Sequence, residues 1–456
     1  MKLTLIGGAG VRAVFFAEHL SARCAELGID EFTLMDTDER KLEIIGALCS
    51  YVIEKNNAEL KVVLTTDPVE AVKRARWIVT TIRAGAERSR AVDERIALKY
   101  GVIGQETTGP GGFSMALRSI GALEEYCRLA SAYAPGAWIF NFTNPSGLVT
   151  QALRQKGFDR VIGICDTPGS TRLRMADALG LPPESLYVEF FGLNHLSWIS
   201  SVVHEDRELL PGLVKNAEFL GKVEEFSIFD PSLIALLNYL PNEYLYYYYH
   251  REKALANILA SPLTRGEAVE RNSREMLEKL GEVAIGKNPE KAMEIYLHYC
   301  GIRESSYMSV EANLRKGGKD DKRPEKGAGL QGYAGVAFDF IEAVSGRKKD
   351  SHLVLSVPNN GSIDGLNDDD VVEVTCRIDK DGPAPVKIGG VSEHAACLMK
   401  SVKLYERKTV EAFYSKSRPL AIEALMAHPL VCSYSLAKSI AGDIFDAYRD
   451  ILGDWR

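Results

Sequence analysis

The sequence predicts an α/β fold: a doubly wound parallel sheet first, then a helix-rich α+β part. Three observations carry this. Short apolar runs alternate with amphipathic stretches through the first 165 residues. A glycine-rich turn follows the first apolar run directly. After residue 170 the alternation gives way to long helical stretches. Alternating β and α elements pack as a parallel sheet with helices on both faces, and such sheets take ligands at the carboxyl ends of their strands.

In chain order, the predicted strands are Lys2–Ile6, Glu31–Met35, Lys61–Leu64, Trp77–Ile82, Ala137–Asn141 and Arg160–Ile164. Each is apolar and bounded by Gly, Asp, Asn or Pro. Val11–Ala25 and Asp38–Glu54 read as helices between them. Beyond residue 170, helices are expected over Arg172–Ala178, Ser232–Tyr249, Ser273–Leu280, His394–Tyr414 and Ser435–Leu452, with β-rich runs at Leu353–Val357 and Val371–Ile378. Gly, Lys and Asp are dense from Lys316 to Gly329, which reads as a mobile, solvated loop. The expected division is residues 1–170 and 171–456.

Composition excludes several function classes. The 456 residues include 55 basic and 62 acidic side chains, a net charge of −7, so no basic face for nucleic acid is expected. No apolar run approaches the roughly 20 residues that span a bilayer. The first strand turns straight into glycines, too short an apolar run for a signal peptide. Eight cysteines without a Cys-x-x-Cys pair suggest buried thiols in a reducing cytoplasm.

Ile6-Gly7-Gly8-Ala9-Gly10-Val11-Arg12-Ala13 closes the first strand and opens the first helix. Gly8, Gly10 and Ala13 fit G-x-G-x-x-G/A, where backbone N–H groups meet a pyrophosphate at a helix N-terminus. Asp36 ends the second strand, where an acid accepts bonds from the adenine ribose and repels a 2′-phosphate. Strand, turn, helix and acid together predict a Rossmann-type NAD site.

Three segments carry polar groups with little structural excuse: Asn141–Pro145, Gly163–Pro168 and Phe191–Trp198. They bring Asn144, Cys165, Asp166 and His195. A thiolate and an imidazole are good ligands for a divalent transition metal, and two protein ligands leave positions for a chelating substrate. By spacing alone, a buried cysteine and a core histidine is the more ordinary reading. Tyrosines crowd Tyr244–Tyr249; on a helix they would cover every face. Most must pack, and one could act as a base. Their surplus suggests a homodimer or homotetramer. Arginines follow the fourth strand at Arg83, Arg88, Arg90 and Arg95, apt for phosphate or carboxylate. Gly104–Phe113 is a second glycine-rich turn.

Taken together, Ile6–Gly10, Asp93–Ile96, Gly104–Gly112, Asn141–Gly147, Gly163–Pro168, Gly192–His195, Tyr244–Tyr248, Pro358–Gly361 and His428–Leu430 resemble glycoside hydrolase family 4, the NAD- and metal-dependent glycosidases, nearest their 6-phospho-β-glucosidase branch. The family departs from the two-carboxylate scheme of most glycosidases. The resemblance implies a lactate/malate dehydrogenase-like fold. It also implies oxidation of the sugar at C3 by NAD, removal of the C2 proton, elimination of the aglycone, addition of water and re-reduction. By position it makes Cys165 and His195 ligands of a divalent metal, Mn above all. Tyr244 would be the C2 base, Glu106 the acid that raises its basicity and Asp166 the general acid. Arg90 and Asn144 would bind substrate, and Gly7, Gly8, Gly10, Asp36 and Arg83 the cofactor. The partner is a small phosphorylated sugar.

Two departures stand out. The family's Arg-Gly-Gly-x-x-Tyr-Ser stretch reads Ala328-Gly329-Leu330-Gln331-Gly332-Tyr333-Ala334, without the arginine, and the glycine-serine turn after Gly8 reads Ala9-Gly10-Val11. The same mechanism on unphosphorylated β-glycosides is therefore an alternative. An NAD-dependent 2-hydroxyacid dehydrogenase and a non-catalytic NAD-bound regulator are more distant ones.

Overall fold

The computed structural model describes residues 1–56, 58–313 and 332–456. The predicted loop and the Ala328–Gln331 departure lie outside them.

Six parallel strands form in the first half: β1 (Lys2–Ile6), β2 (Glu31–Met35), β3 (Lys61–Thr65), β4 (Ala75–Thr80), β5 (Trp138–Asn141) and β6 (Val161–Gly163). Their order, β3-β2-β1-β4-β5-β6, is the doubly wound one, reversing between β1 and β4. After the first residue β1 is wholly buried, and β4 has one exposed position, as strands with both faces covered require. Helix α1 (Ala13–Leu27) follows β1 and buries Phe16, Ala17, Leu20 and Cys24, one face at helical spacing. Helix α2 (Glu39–Lys55) begins where Asp38 accepts from the Lys41 N–H, a side-chain cap for a free helix donor.

The second half contributes two β units. A hairpin of β7 (Leu186–Leu193) and β8 (Leu196–His204), extended by β9 (Arg207–Glu208) and β10 (Leu240–Pro241), forms a separate small sheet. The strands β11 (Ser351–Pro358), β12 (Val371–Asp379) and β13 (Gly382–Pro385) instead extend the first sheet. β11 lies antiparallel to β6 through Ser356 and Gly163. The large sheet thus has nine strands among the described residues and continues across residue 170. Helix Tyr333–Val344 packs on α1, with the Phe16 and Phe338 rings edge-on at 5.2 Å.

One expectation needs correcting. The helix predicted over Ser232–Tyr249 is broken. Pro231–Leu237 is helical, Asn238 turns left-handed at φ 57°, and Leu240–Pro241 pairs with β8. Pro241 has no N–H to continue a helix, and the Asn242 side chain caps the Tyr244 N–H of a short 3₁₀ turn, Glu243–Leu245. Of the tyrosines, Tyr244, Tyr246 and Tyr247 are buried within the chain, and Tyr248 and Tyr249 are half-buried. Finally, the β7–β8 hairpin was not anticipated as strands.

Candidate active site

The glycine turn folds as the dinucleotide pattern requires. Gly7 has φ +91°, and a Cβ there would meet the Thr81 carbonyl carbon at 2.8 Å, so only glycine fits. The Gly7 and Gly8 N–H groups bind the Met35 carbonyl, which fastens the turn to β2. The Ala9 N–H binds Asp36 Oδ2 at 3.1 Å and sets that carboxylate beside the turn. The N–H groups of Val11 and Arg12, at the mouth of α1, have no acceptor among the described residues. Free donors at a helix N-terminus with an acid on the next strand are the donor set an NAD pyrophosphate and ribose need.

Cys165 lies just past β6, and His195 sits in the β7–β8 turn. The hairpin brings them together. His195 holds a left-handed φ of 61°, and Gly192 is irreplaceable there, since a Cβ would stand 2.4 Å from the Leu196 carbonyl oxygen. The Cys165 Sγ and His195 Nε2 are 3.6 Å apart and both residues are buried.

The hydrogen bonds fix which imidazole nitrogen is free. The Thr107 hydroxyl donates to Gln105 Oε1 at 2.5 Å, which uses its one proton. The contact of 2.7 Å between that hydroxyl and His195 Nδ1 must then be donated by Nδ1–H. Nε2 is left with its lone pair, facing Cys165. Burial pushes the imidazole down to about 4, against the pull of Glu106 and Asp166, so the ring is neutral at pH 7. Burial, with Glu373 and Asp166, pushes the Cys165 thiol well up. A thiol so placed ionises only for a cation, and a neutral imidazole beside it completes a soft N/S pair that fits a divalent transition metal. Among the described residues no third His, Cys, Asp or Glu joins them in metal-holding geometry.

Tyr244 is stacked on this pair. Its ring lies 3.7 Å from that of His195, 4° from parallel. The Asn242 N–H binds the Ser197 carbonyl at 2.9 Å and ties the tyrosine turn to β8. Burial and then Glu243 hold the Tyr244 phenol well above its ordinary range, while a hydrogen bond with Tyr307 pulls the other way.

Other expected residues take different positions. Glu106 is bound by Arg83 Nη1 at 2.6 Å and Arg90 Nη1 at 3.0 Å. Burial pushes its carboxyl up, but those two arginines outweigh burial and keep it well below the usual carboxylate range. Arg83 also binds Glu87 at 2.8 Å and Arg90 binds Glu94 at 2.8 Å, each through Nε, so these contacts hold both guanidiniums in place through Nε and Nη1. Asp166 is paired with Arg12 at 2.6 Å. Asn144 is half-buried, precedes a cis proline and has no hydrogen-bond partner among the described residues. Thr107, Arg12, Arg303 and Tyr307 were not singled out in the sequence. Only tertiary contacts mark them.

Comparison with known proteins agrees with this arrangement. The family model described as "Family 4 glycosyl hydrolase" matches residues 2–181, and its C-terminal domain matches residues 190–431. A probable 6-phospho-beta-glucosidase of Bacillus subtilis (strain 168) is 31% identical over 464 residues, covering 99% of this chain and 97% of the relative. The structure of the 6-phospho-beta glucosidase from Thermotoga maritima with manganese, NAD+ and glucose-6-phosphate superposes with a TM-score of 0.81 at 28% identity, covering 99% of this chain and 98% of that one. A lactate dehydrogenase from a Medee basin deep-sea metagenome shares the fold alone, with a TM-score of 0.52 at 13% identity, covering 91% of this chain and 98% of that one.

Proposed function

The chain belongs to glycosyl hydrolase family 4, and on that premise we propose that it hydrolyses 6-phospho-β-glucosides, with Cys165 and His195 holding the metal and Tyr244 taking the C2 proton. The observation that carries this reading is the parallel stack of Tyr244 on His195, with Cys165 facing the free Nε2. Held by the residues above, NAD would supply hydride chemistry at C3 and a divalent metal such as Mn would supply the Lewis acidity that makes the neighbouring C2–H ionisable.

The chain's own residues do the rest. Asp36 and the free N–H groups of Val11 and Arg12 bind the cofactor. Thr107 holds the His195 ring so that Nε2 faces inward. The Tyr244 oxygen takes the proton from C2, and burial keeps water from competing for it. Glu106 is kept ionised by Arg83 and Arg90 and supplies a fixed negative charge that favours proton uptake at Tyr244. Asn144, whose amide has no hydrogen-bond partner among the described residues, offers it to a sugar hydroxyl. Once Arg12 releases it, the Asp166 carboxylate takes a proton from water and passes that proton to the departing aglycone oxygen. We place the reaction in the cytoplasm, since all eight cysteines are free thiols.

The test is isotopic. A p-nitrophenyl 6-phospho-β-glucoside deuterated at C2, hydrolysed in ordinary water with NAD and Mn, should give glucose 6-phosphate with hydrogen at C2 and no net NADH. Retention of the deuterium overturns the elimination reading. NADH accumulating with product favours a dehydrogenase.

A further inference from the structure

The mouth of α1 is fastened by a residue from the far half of the chain. Arg12 stands at the N-cap position with no side-chain cap, and a guanidinium, which has no acceptor, could not supply one. The carbonyls on either side of Val11 are taken up locally: Gly10 accepts from the Ala13 N–H at 2.9 Å and Arg12 from the Phe16 N–H at 3.1 Å. The Val11 carbonyl between them meets no backbone N–H among the described residues. It accepts instead from the Tyr296 hydroxyl at 2.6 Å, 285 positions along the chain. The turn itself, Ala9-Gly10-Val11, carries no polar side chain that could hold this peptide.

Tyr296 lies within helix Pro289–Ser305 and is wholly buried, its ring 5.4 Å from that of Phe15 in the first turn of α1. A hydroxyl has one proton and a carbonyl can only accept, so the direction of the bond is fixed. Burial, and then Cys300 one turn on, hold the phenol well above its ordinary range, so the oxygen keeps that proton. A peptide unit is planar and trans, and its C=O and N–H point to opposite sides. Fastening the Val11 oxygen toward Tyr296 therefore turns the N–H of the same unit, that of Arg12, the other way. That N–H has no acceptor among the described residues.

We propose that Tyr296 is a cofactor-positioning residue, whose hydroxyl sets the Val11–Arg12 peptide so that the Arg12 N–H donates to the NAD pyrophosphate. This deepens the cofactor reading above and needs neither the metal nor the sugar. Tyr296 falls in the stretch matched by the family's C-terminal domain and the turn in the N-terminal match, so one half of the chain tunes the other half's hold on its cofactor.

Calorimetry on the full chain, without metal or sugar, gives dissociation constants for NAD, ADP-ribose and adenosine in the wild type and in Tyr296→Phe. The variant keeps the ring against Phe15 and loses one oxygen. NAD and ADP-ribose, which carry the pyrophosphate, should each bind about 3- to 10-fold more weakly, as for loss of one hydrogen bond. Adenosine, which offers ribose hydroxyls and no phosphate, should bind as it does to the wild type. Equal losses on all three would mean that Tyr296 only keeps the turn folded, and they overturn the assignment; unchanged constants for NAD and ADP-ribose overturn it too. Should Tyr296→Phe fail to fold, the Arg12 amide resonance of the wild type decides. It should shift with ADP-ribose and stay in place with adenosine, and an amide indifferent to ADP-ribose overturns the assignment. A wild type that binds none of the three ligands instead overturns the NAD site, and the Tyr296 assignment with it.

Discussion

The rings of His195 and Tyr244 lie parallel with centroids 3.7 Å apart, though 49 positions separate them in the chain. The stack fixes the proposed base against the proposed metal ligand, and Thr107 locks the other edge of the imidazole. Thr107→Val removes the acceptor for Nδ1–H and frees the ring to adopt the wrong tautomer. Mn affinity, measured by equilibrium dialysis, should fall about 10- to 100-fold, as loss of a ligand-orienting partner does elsewhere. Unchanged affinity would show that stacking alone orients the ring.

Cys165→Ser and His195→Ala should each abolish Mn-dependent hydrolysis. Two protein ligands are the fewest that hold a metal whose other positions go to substrate. Circular dichroism and thermal midpoints should stay near wild type, since neither side chain carries the core. Hydrolysis by either variant in chelator-treated buffer would remove the metal role. Oxidising the thiol should mimic Cys165→Ser, reversibly if a disulfide reductant is then added.

Tyr244→Phe should stop hydrogen exchange at C2, read by NMR of the sugar, while leaving NAD binding in place. The variant keeps the ring that stacks on His195 and loses only the oxygen. Persistent exchange would move the base to another residue, with Tyr307 the first to test.

Asp166→Asn should slow substrates with poor leaving groups far more than p-nitrophenyl ones. A general acid matters in proportion to the basicity of the departing oxygen and contributes about 10²- to 10⁴-fold where it is needed. A series of aryl 6-phospho-β-glucosides gives the slope. A slope equal to wild type would leave Asp166 with only its Arg12 pair to maintain.

His428 should give the fold a pH dependence. Its ring nitrogens lie 3.1 Å from the Gly109 N–H and 3.2 Å from the Leu430 N–H, with the Tyr248 hydroxyl 3.5 Å from Nε2, so a second ring proton would face an N–H donor on each edge of the ring. Burial pushes the imidazole down to about 3. Below about pH 6.5 the unfolded chain takes up a proton that the folded chain refuses. Stability from this group is thus complete above pH 6.5 and falls by about 1.4 kcal/mol per pH unit toward pH 3. Urea midpoints for wild type and His428→Gln over that range should show the variant with the shallower slope.

Much of the fold was legible because its causes are local. The apolar runs at Lys2–Ile6 and Glu31–Met35 became strands with those bounds, and Asp36 lies beside the glycine turn because both follow strand ends of one parallel sheet. The motif-bearing residues Cys165, His195 and Tyr244 were also picked out, though on their identity and pattern rather than on any visible contact. The broken tyrosine helix was missed because the apolar run Leu233–Leu237 reads as helical and was carried on past Asn238 and Pro241, which break it. Pairing of Leu240–Pro241 with β8 overrides that preference.

What the sequence alone determined, then, is periodicity, the dinucleotide turn and which residues are chemically able to act. The tertiary structure decided which of them meet. The hairpin turn carries His195 across 30 positions to Cys165, the Asn242–Ser197 bond brings Tyr244 onto the same ring, and packing engages Arg83 and Arg90 with Glu106. The reason is physical. Backbone periodicity follows from neighbours within a turn or two of chain, whereas a charge is compensated by whatever the folded chain brings within a few ångströms, and that depends on every element packed between.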